Sequence, residues 1–344
     1  MIKEWNMLRV AACLTIVLLH SMTQTSRVLG QPQTEFYHFG RILMCFATPT
    51  FIVLSIIILA NRYNDKLPKN FWESRIKYIY LPFISFGIID ALVGNYLKPN
   101  LLLDQKILDN VLTGKFIGWF ILVIFQFYLL HFLVVRFKIS VRKLFPFSVL
   151  IMGIYLYLIN HDIITLGKYS YALKLPFIAW FGYFTSAFLV GKHYKTIAPK
   201  LYKYRWLTLV LLAASIGLVY LSYRLGNTAV DSRRFDLYPL VISMSAVILA
   251  WGQSLPNLKI VNLVSNYSFG IYLLHWQFQR LIAPHLPIFS SNYTYNVILL
   301  FLTSLVCSML TIKIISFIPF GSFIIGKTKK LKKSKMKPQQ VNVA

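Results

Sequence analysis

The stretch LRVAACLTIVLLH, residues 8–20, sets Arg9 and His20 eleven residues apart in an otherwise apolar run. On an α-helix, at about 100° per residue, that spacing is close to three turns, so both side chains project from one face about 16 Å apart. A guanidinium binds phosphate or carboxylate through a bidentate fork, and an imidazole exchanges a proton near neutral pH. Arg9 therefore suits an anion held at one mouth of the helix, and His20 a proton transfer deeper in. The same spacing also admits a plainer reading, with Arg9 snorkelling to headgroups and His20 marking the opposite interface.

Other polar groups stand inside apolar runs. Arg41 falls in YHFGRILMCFATPTFIVLS and needs a cavity or a partner, for which Glu35 and His38 are the nearest candidates in sequence. Arg75 and Lys77, in SRIKYIYLPF just before Pro82, place a basic pair at a helix mouth. It is either a topological flank or a second part of a phosphate site shared with Arg9. His275 lies in VSNYSFGIYLLHWQF, where Tyr272 and Ser268 continue its face one and two turns away. Such a stripe serves a site, or simply glues helices together. His131 and His193 read as ordinary interfacial residues. Asp90 and the loop residues Asp231, Ser232, Arg233, Arg234 and Asp236 are candidates to hydrogen-bond sugar hydroxyls, with a solvated loop as the alternative. Cys13, Cys45 and Cys307 all sit in apolar runs, without zinc spacing or a disulfide framework, so no metal site is expected. No phosphate-binding glycine loop or dinucleotide turn is present, which argues against an ATP-driven pump in this chain alone.

The elements that must position these residues are membrane helices. With 57% hydrophobic and 16% aromatic residues in 344, and a mean hydropathy of +0.61, the chain reads as an all-α, polytopic integral membrane protein. About ten apolar runs are long enough to consider as spans, centred near Ile16, Val53, Ser85, Phe125, Met152, Phe181, Ala213, Val247, Leu274 and Leu305. A formal charge of +26 is of the kind that nucleic-acid binders carry, but here the basic residues alternate with the spans. Most of them fall on the side that carries Lys3, Arg62–Lys77, Arg136–Lys143, Lys192–Arg205 and the tail, which predicts that both termini are cytoplasmic. Residues 1–325 are expected to form a single transmembrane domain. Residues 326–344 are expected to be a disordered basic tail held to anionic lipid headgroups. Leu19, His20 and Ser21 do not form a signal cleavage site, so the first helix stays as a span. A multi-pass bacterial plasma-membrane protein with lipids as partners, and no nucleic acid, is the expectation.

Taken together, LRVAACLTIVLLH, TPTFIVLS at 48–55, RIKYIYLPF at 75–83 and YSFGIYLLH at 267–275 resemble, in order, the motifs of the integral-membrane acyltransferase-3 family. The resemblance implies an acyl donor, acetyl-CoA or another acyl-CoA, approached from the cytoplasm and not tightly bound, and an acceptor hydroxyl on a cell-envelope glycan. It further implies that His20 is the general base, that Arg9, Arg75 and Lys77 hold the donor phosphates, and that Arg41 stabilises the oxyanion. Two departures stand out: Ser55-Ile56 where the family often has Ser-Gly, and Gly118-Trp119-Phe120 where a histidine often precedes Trp-Phe. Both bring the chain nearer to the intercellular-adhesion branch that accompanies poly-N-acetylglucosamine synthesis. That branch carries the alternative function of polysaccharide exporter or flippase in biofilm formation, and a polysaccharide synthase as a further candidate partner.

Overall fold

A computed structural model describes residues 2–328 of the chain. The expected basic tail lies almost wholly outside these residues. Every regular element among them is helical. In order they are α1 (Lys3–Leu29), α2 (Glu35–Met44), α3 (Ala47–Arg62), α4 (Phe71–Arg75), a π-helical turn (Ile76–Tyr80), α5 (Leu81–Leu97), α6 (Leu103–Thr113) and α7 (Phe120–Arg136). Then follow α8 (Val141–Asn160), α9 (Phe181–Lys192), α10 (Tyr194–Lys203), α11 (Arg205–Arg224), α12 (Leu237–Trp251), α13 (Lys259–Ile282), α14 (Tyr293–Ile315) and α15 (Ser322–Ile325).

Among the described residues seven segments are long and apolar enough to cross a membrane: Lys3–Leu29, Glu35–Arg62, Phe71–Leu97, Leu103–Arg136, Val141–Asn160, Arg205–Arg224 and Tyr293–Ile315. This corrects the ten expected from hydropathy. The runs centred on Phe181 and Val247 become α9 and α12, with 12 and 15 residues, which at 1.5 Å per residue fall short of a hydrocarbon core of about 30 Å. The run around Leu274 becomes α13, which has the length but interrupts its apolar surface with Ser265, Ser268, His275, Gln277 and Gln279, all buried.

Most of those polar residues face α1, Gln277 turning instead to Asp90 of α5, and the pairing of α1 with α13 organises the bundle. Asn6 Nδ2 donates to Asn262 Oδ1 at 2.8 Å, Arg9 Nη1 to Ser265 Oγ at 3.0 Å, and Gln279 Nε2 to Ser21 Oγ at 2.8 Å. Each bond joins residues in the same order along both helices, so α1 and α13 run parallel through the bundle. A polar ladder of this kind is satisfied only in one register, so it fixes how far one helix is slid along the other. Gln279 extends the ladder to α14 through Ser304 Oγ.

A second close approach joins α3 to α9. A Cβ on Gly191 would meet the Ile57 carbonyl oxygen at 2.5 Å and its Cα at 2.9 Å, and Asn61 Nδ2 bonds to the Gly191 carbonyl at 3.2 Å. Backbone cannot swing aside as a side chain does. Gly191→Ala is therefore expected to destabilise the fold by about 1–3 kcal/mol, read as a lower melting temperature in detergent, through forced separation of packed helices. Gly40→Ala, where nothing lies within 4 Å of the added methyl, is the matched control and should melt no lower than the parent.

Two sequence expectations change in detail. His131 is fully buried within the protein and bonds through Nε2 to the Tyr63 carbonyl at 2.8 Å, tying α7 to the end of α3. Cys13 and Cys45 are buried free thiols as expected, whereas Cys307 is only half-buried.

Candidate functional site

The C-terminal half of α1 borders a cavity of about 870 Å³ that opens on the face opposite the one where α1 begins. Ile16, Leu19, His20, Gln24 and Arg27 contribute one wall, and Tyr272, Trp276 and Arg280 of α13 contribute the next. Parallel packing of α1 and α13 places His20 directly against His275, the pair that sequence alone left as separate polar residues.

His20 Nδ1 lies 3.0 Å from His275 Nε2, and His275 Nδ1 lies 2.8 Å from the Ile271 carbonyl oxygen. A carbonyl oxygen only accepts, so His275 carries its proton on Nδ1 and presents an Nε2 lone pair. That lone pair accepts the Nδ1 proton of a neutral His20, which leaves His20 Nε2 as a free base with no protein partner among the described residues. The two rings are almost coplanar in orientation, 3° apart, and Trp276 packs edge-on against His20 at 5.1 Å. These contacts hold the imidazole in one orientation, which general-base catalysis needs.

Beneath the histidines, Tyr272 packs on Phe120 at 4.6 Å and on Phe51 at 5.9 Å, and its hydroxyl donates to the Ile117 carbonyl. Helix α3 shows what this aromatic trio divides. Thr48 lines the large cavity, Ser55 lines a smaller one of about 210 Å³, and Phe51 lies midway between them along the helix. Arg62, Arg75 and Tyr128 also line the smaller cavity. The Arg75 guanidinium lies over Phe71 at 4.6 Å and Tyr128 at 5.3 Å, and its Nε is buried without a hydrogen-bond partner among the described residues. That unpaired donor suits a phosphate oxygen.

The expected basic trio does not assemble. Arg9 is spent on Ser265 and lines neither cavity. Lys77 is exposed and paired with Glu73 at 2.6 Å. Arg75 instead joins Arg62, a residue that sequence reasoning had assigned only a topological role. Arg41 donates to Thr23 Oγ1 at 3.1 Å, one turn beyond His20 on α1, and its Nε is buried and unpartnered. Its suspected partners lie elsewhere, since Glu35 pairs with Arg224 at 3.5 Å and His38 with Gln31 at 2.6 Å. Ser268 donates to the Ser265 carbonyl at 2.9 Å and receives the Cys13 thiol on its own carbonyl, so both groups are engaged in the packing of α13 and α1.

Around the cavity mouth stand polar groups that the sequence offered as candidates, and the structure supplies their partners. Asp90 is buried and gathers Arg280 at 2.9 Å, Lys106 at 3.6 Å, Gln277 at 3.0 Å and Asn110 at 3.0 Å. Its position in an apolar span was the available signal. The RRFD loop divides in two: Arg233 lines the cavity and grips Asp231, while Arg234 is buried, paired with Asp236 and bonded to the Asn227 and Ala229 carbonyls. Arg234 and Asp236 therefore hold the loop together rather than offering groups to a sugar. Lys174 stands over the Trp119 ring at 4.7 Å. Burial pushes its pKa down to about 8, with Asp231 opposing and Arg233 adding to the shift, so its charge is lost as the pH rises through about 8.

Comparison with known proteins bears on this site. The acyltransferase domain family matches residues 2–313. YfiQ of Bacillus subtilis (strain 168), named as a membrane-bound acyltransferase, is 32% identical over 97% of both chains. Two staphylococcal relatives are named for export of poly-beta-1,6-N-acetyl-D-glucosamine. That of Staphylococcus aureus (strain N315) is 27% identical over 78% of this chain and 79% of its own. That of Staphylococcus epidermidis is 25% identical over 93% of each. No solved structure matches.

Proposed function

The chain belongs to the acyltransferase family, and from that membership we propose that it moves a short acyl group from an acyl-CoA to a hydroxyl of a cell-envelope glycan. The observation that carries this reading is the free Nε2 of His20, backed by His275 and the Ile271 carbonyl, at the wall of a cavity large enough for sugar residues. In this reading the face where α1 begins is cytoplasmic, as the distribution of Lys and Arg favours. The acyl-CoA supplies the activated carbonyl as donor substrate.

His20 Nε2 takes the proton of the acceptor hydroxyl as its oxygen bonds to the acyl carbon. The carbon–sulfur bond of the donor breaks, and the proton passes from His20 to the departing thiolate. Arg41, with a buried unpaired Nε, is the candidate to meet negative charge on the carbonyl oxygen. Arg75 with Arg62 is the best-placed phosphate clamp; the small cavity there takes a phosphate, not a whole nucleotide. Arg9 and Lys77 remain candidates for a second contact, Arg9 after releasing Ser265 and Lys77 after releasing Glu73. The trio Phe51, Phe120 and Tyr272 must part for a thioester arm to pass from that side to His20.

A second reading, polysaccharide export, is favoured by the names of the staphylococcal relatives and by the size of the cavity, which also offers Trp119, Tyr171 and Trp276 as stacking surfaces. One experiment separates the two. Protein reconstituted in vesicles is given acyl-labelled acyl-CoA on one side and glycan fragments on the other. Label appearing on the glycan supports transfer; unlabelled glycan crossing the vesicle wall, with the donor untouched, sinks transfer in favour of export.

A further inference from the structure

The cavity beside His20 has a charge that a neutral sugar does not call for. Arg27, Lys98 and Lys174 line it, and none has a carboxylate within ion-pair distance among the described residues. Asp90 is a single anion between two cations, Arg280 and Lys106. Arg233 and Lys115 are neutralised locally by Asp231 and Asp109. The wall thus keeps an excess of about four positive charges after every pairing is made. Two of the free cations are stacked on aromatic faces, Lys174 on Trp119 at 4.7 Å and Arg27 on Trp276 at 5.3 Å. Stacking of this kind positions a cation without neutralising it.

Like charges focused in a concave wall repel one another and attract counter-ions. Such an arrangement is costly unless a ligand supplies the missing anions. We propose that the cavity receives an anionic glycan, bearing carboxylate or phosphodiester groups, whose charges meet Lys174, Arg27 and the Asp90 cluster while a sugar hydroxyl approaches His20. A uronic-acid polymer and a polyol-phosphate polymer share this chemistry. An uncharged N-acetylglucosamine polymer does not, and its de-N-acetylated form would be repelled. That the bound glycan is the acyl acceptor rests on the transfer reading; that it is anionic does not.

The test is direct binding to the full-length protein in nanodiscs by fluorescence anisotropy, at low and at high salt. Three labelled oligomers of equal length serve as probes: an oligogalacturonate, an oligo(glycerol phosphate) and an oligo-N-acetylglucosamine. At least one anionic probe should bind about tenfold or more tightly than the neutral one, the factor expected from a single charged hydrogen bond, and the advantage should shrink at high salt. Which anionic probe binds better identifies carboxylate or phosphodiester as the natural group. Lys174→Gln and Arg27→Gln should each erode the preference, Lys174→Arg should keep it, and melting temperature reports whether each variant is folded. Equal or tighter binding of the neutral oligomer by folded wild type overturns the proposal. Preference for an anionic probe by a protein that moves no acyl label leaves the ligand class standing and removes the transfer reading.

Discussion

His20→Ala is expected to lower acyl transfer by about 10²–10⁴-fold, the range that a positioned general base supplies. Glycan binding and melting temperature should stay near the parent values, because His20 is a cavity-wall residue whose only side-chain hydrogen bond among the described residues is to His275. The loss should fall on kcat rather than KM, as for a group that acts only in the transition state. His275 touches His20 and does not itself line the cavity, so it is a positioning residue. His275→Ala leaves the His20 Nδ1 proton without its acceptor, and the imidazole is free to adopt the other tautomer or to turn. His275→Gln offers an amide oxygen in its place and should recover a large part of the lost rate. Full activity in a folded His275→Ala protein would show that the tautomer is held by something else. Equal loss in the Ala and Gln variants would point to packing, since both remove the ring.

Arg9, His20 and His275 were legible in the sequence because a charged or titratable group inside an apolar run has few inexpensive explanations. Their pairing was not legible. It depends on α1 and α13 lying side by side and parallel, 255 residues apart in the chain at the His20–His275 contact, and no local period records such a neighbour. The span count failed for a related reason. The run of α13 reads as a span although much of its buried surface is polar, and the runs of α9 and α12 read as spans although those helices are short, because a hydropathy window sees neither packing nor helix length. The basic trio is dispersed for a different reason: Arg9, Arg75 and Lys77 are grouped on one side by charge bias in the sequence, but proximity to one face is not proximity to one another. The four motifs, in contrast, survive as structure. LRVAACLTIVLLH and YSFGIYLLH lie on the two helices that meet at the histidines, TPTFIVLS carries Thr48 to the large cavity and Ser55 to the small one, and RIKYIYLPF carries Arg75.

Asp90→Ala is expected to destabilise the protein by about 3–5 kcal/mol, the cost typical of removing one partner from a buried ion pair. The carboxylate side chain is 4% exposed, while Arg280 and Lys106 are 18% and 21% exposed, so solvent softens the penalty and the lower end of the range is the expectation. The loss has three parts. Two cations are left facing each other without their shared anion, Gln277 and Asn110 each lose an acceptor, and α6 loses one of its ties to α5 and α13. Asp90→Asn keeps an acceptor oxygen for one of Gln277 and Asn110 but removes the charge, so it should fall between Ala and wild type. The decisive comparison is Asp90→Ala with Arg280→Leu, which deletes the orphaned guanidinium with its partner. Melting in detergent should then recover part of what the single change lost, because an apolar replacement of a buried pair is often close to neutral. If the double variant is as unstable as the sum of the two single ones, Asp90 and Arg280 are energetically independent despite their 2.9 Å contact. The knot would then be a bystander at the cavity wall, and the Lys106 contact with its backbone bond to Lys115 would be left to anchor α6.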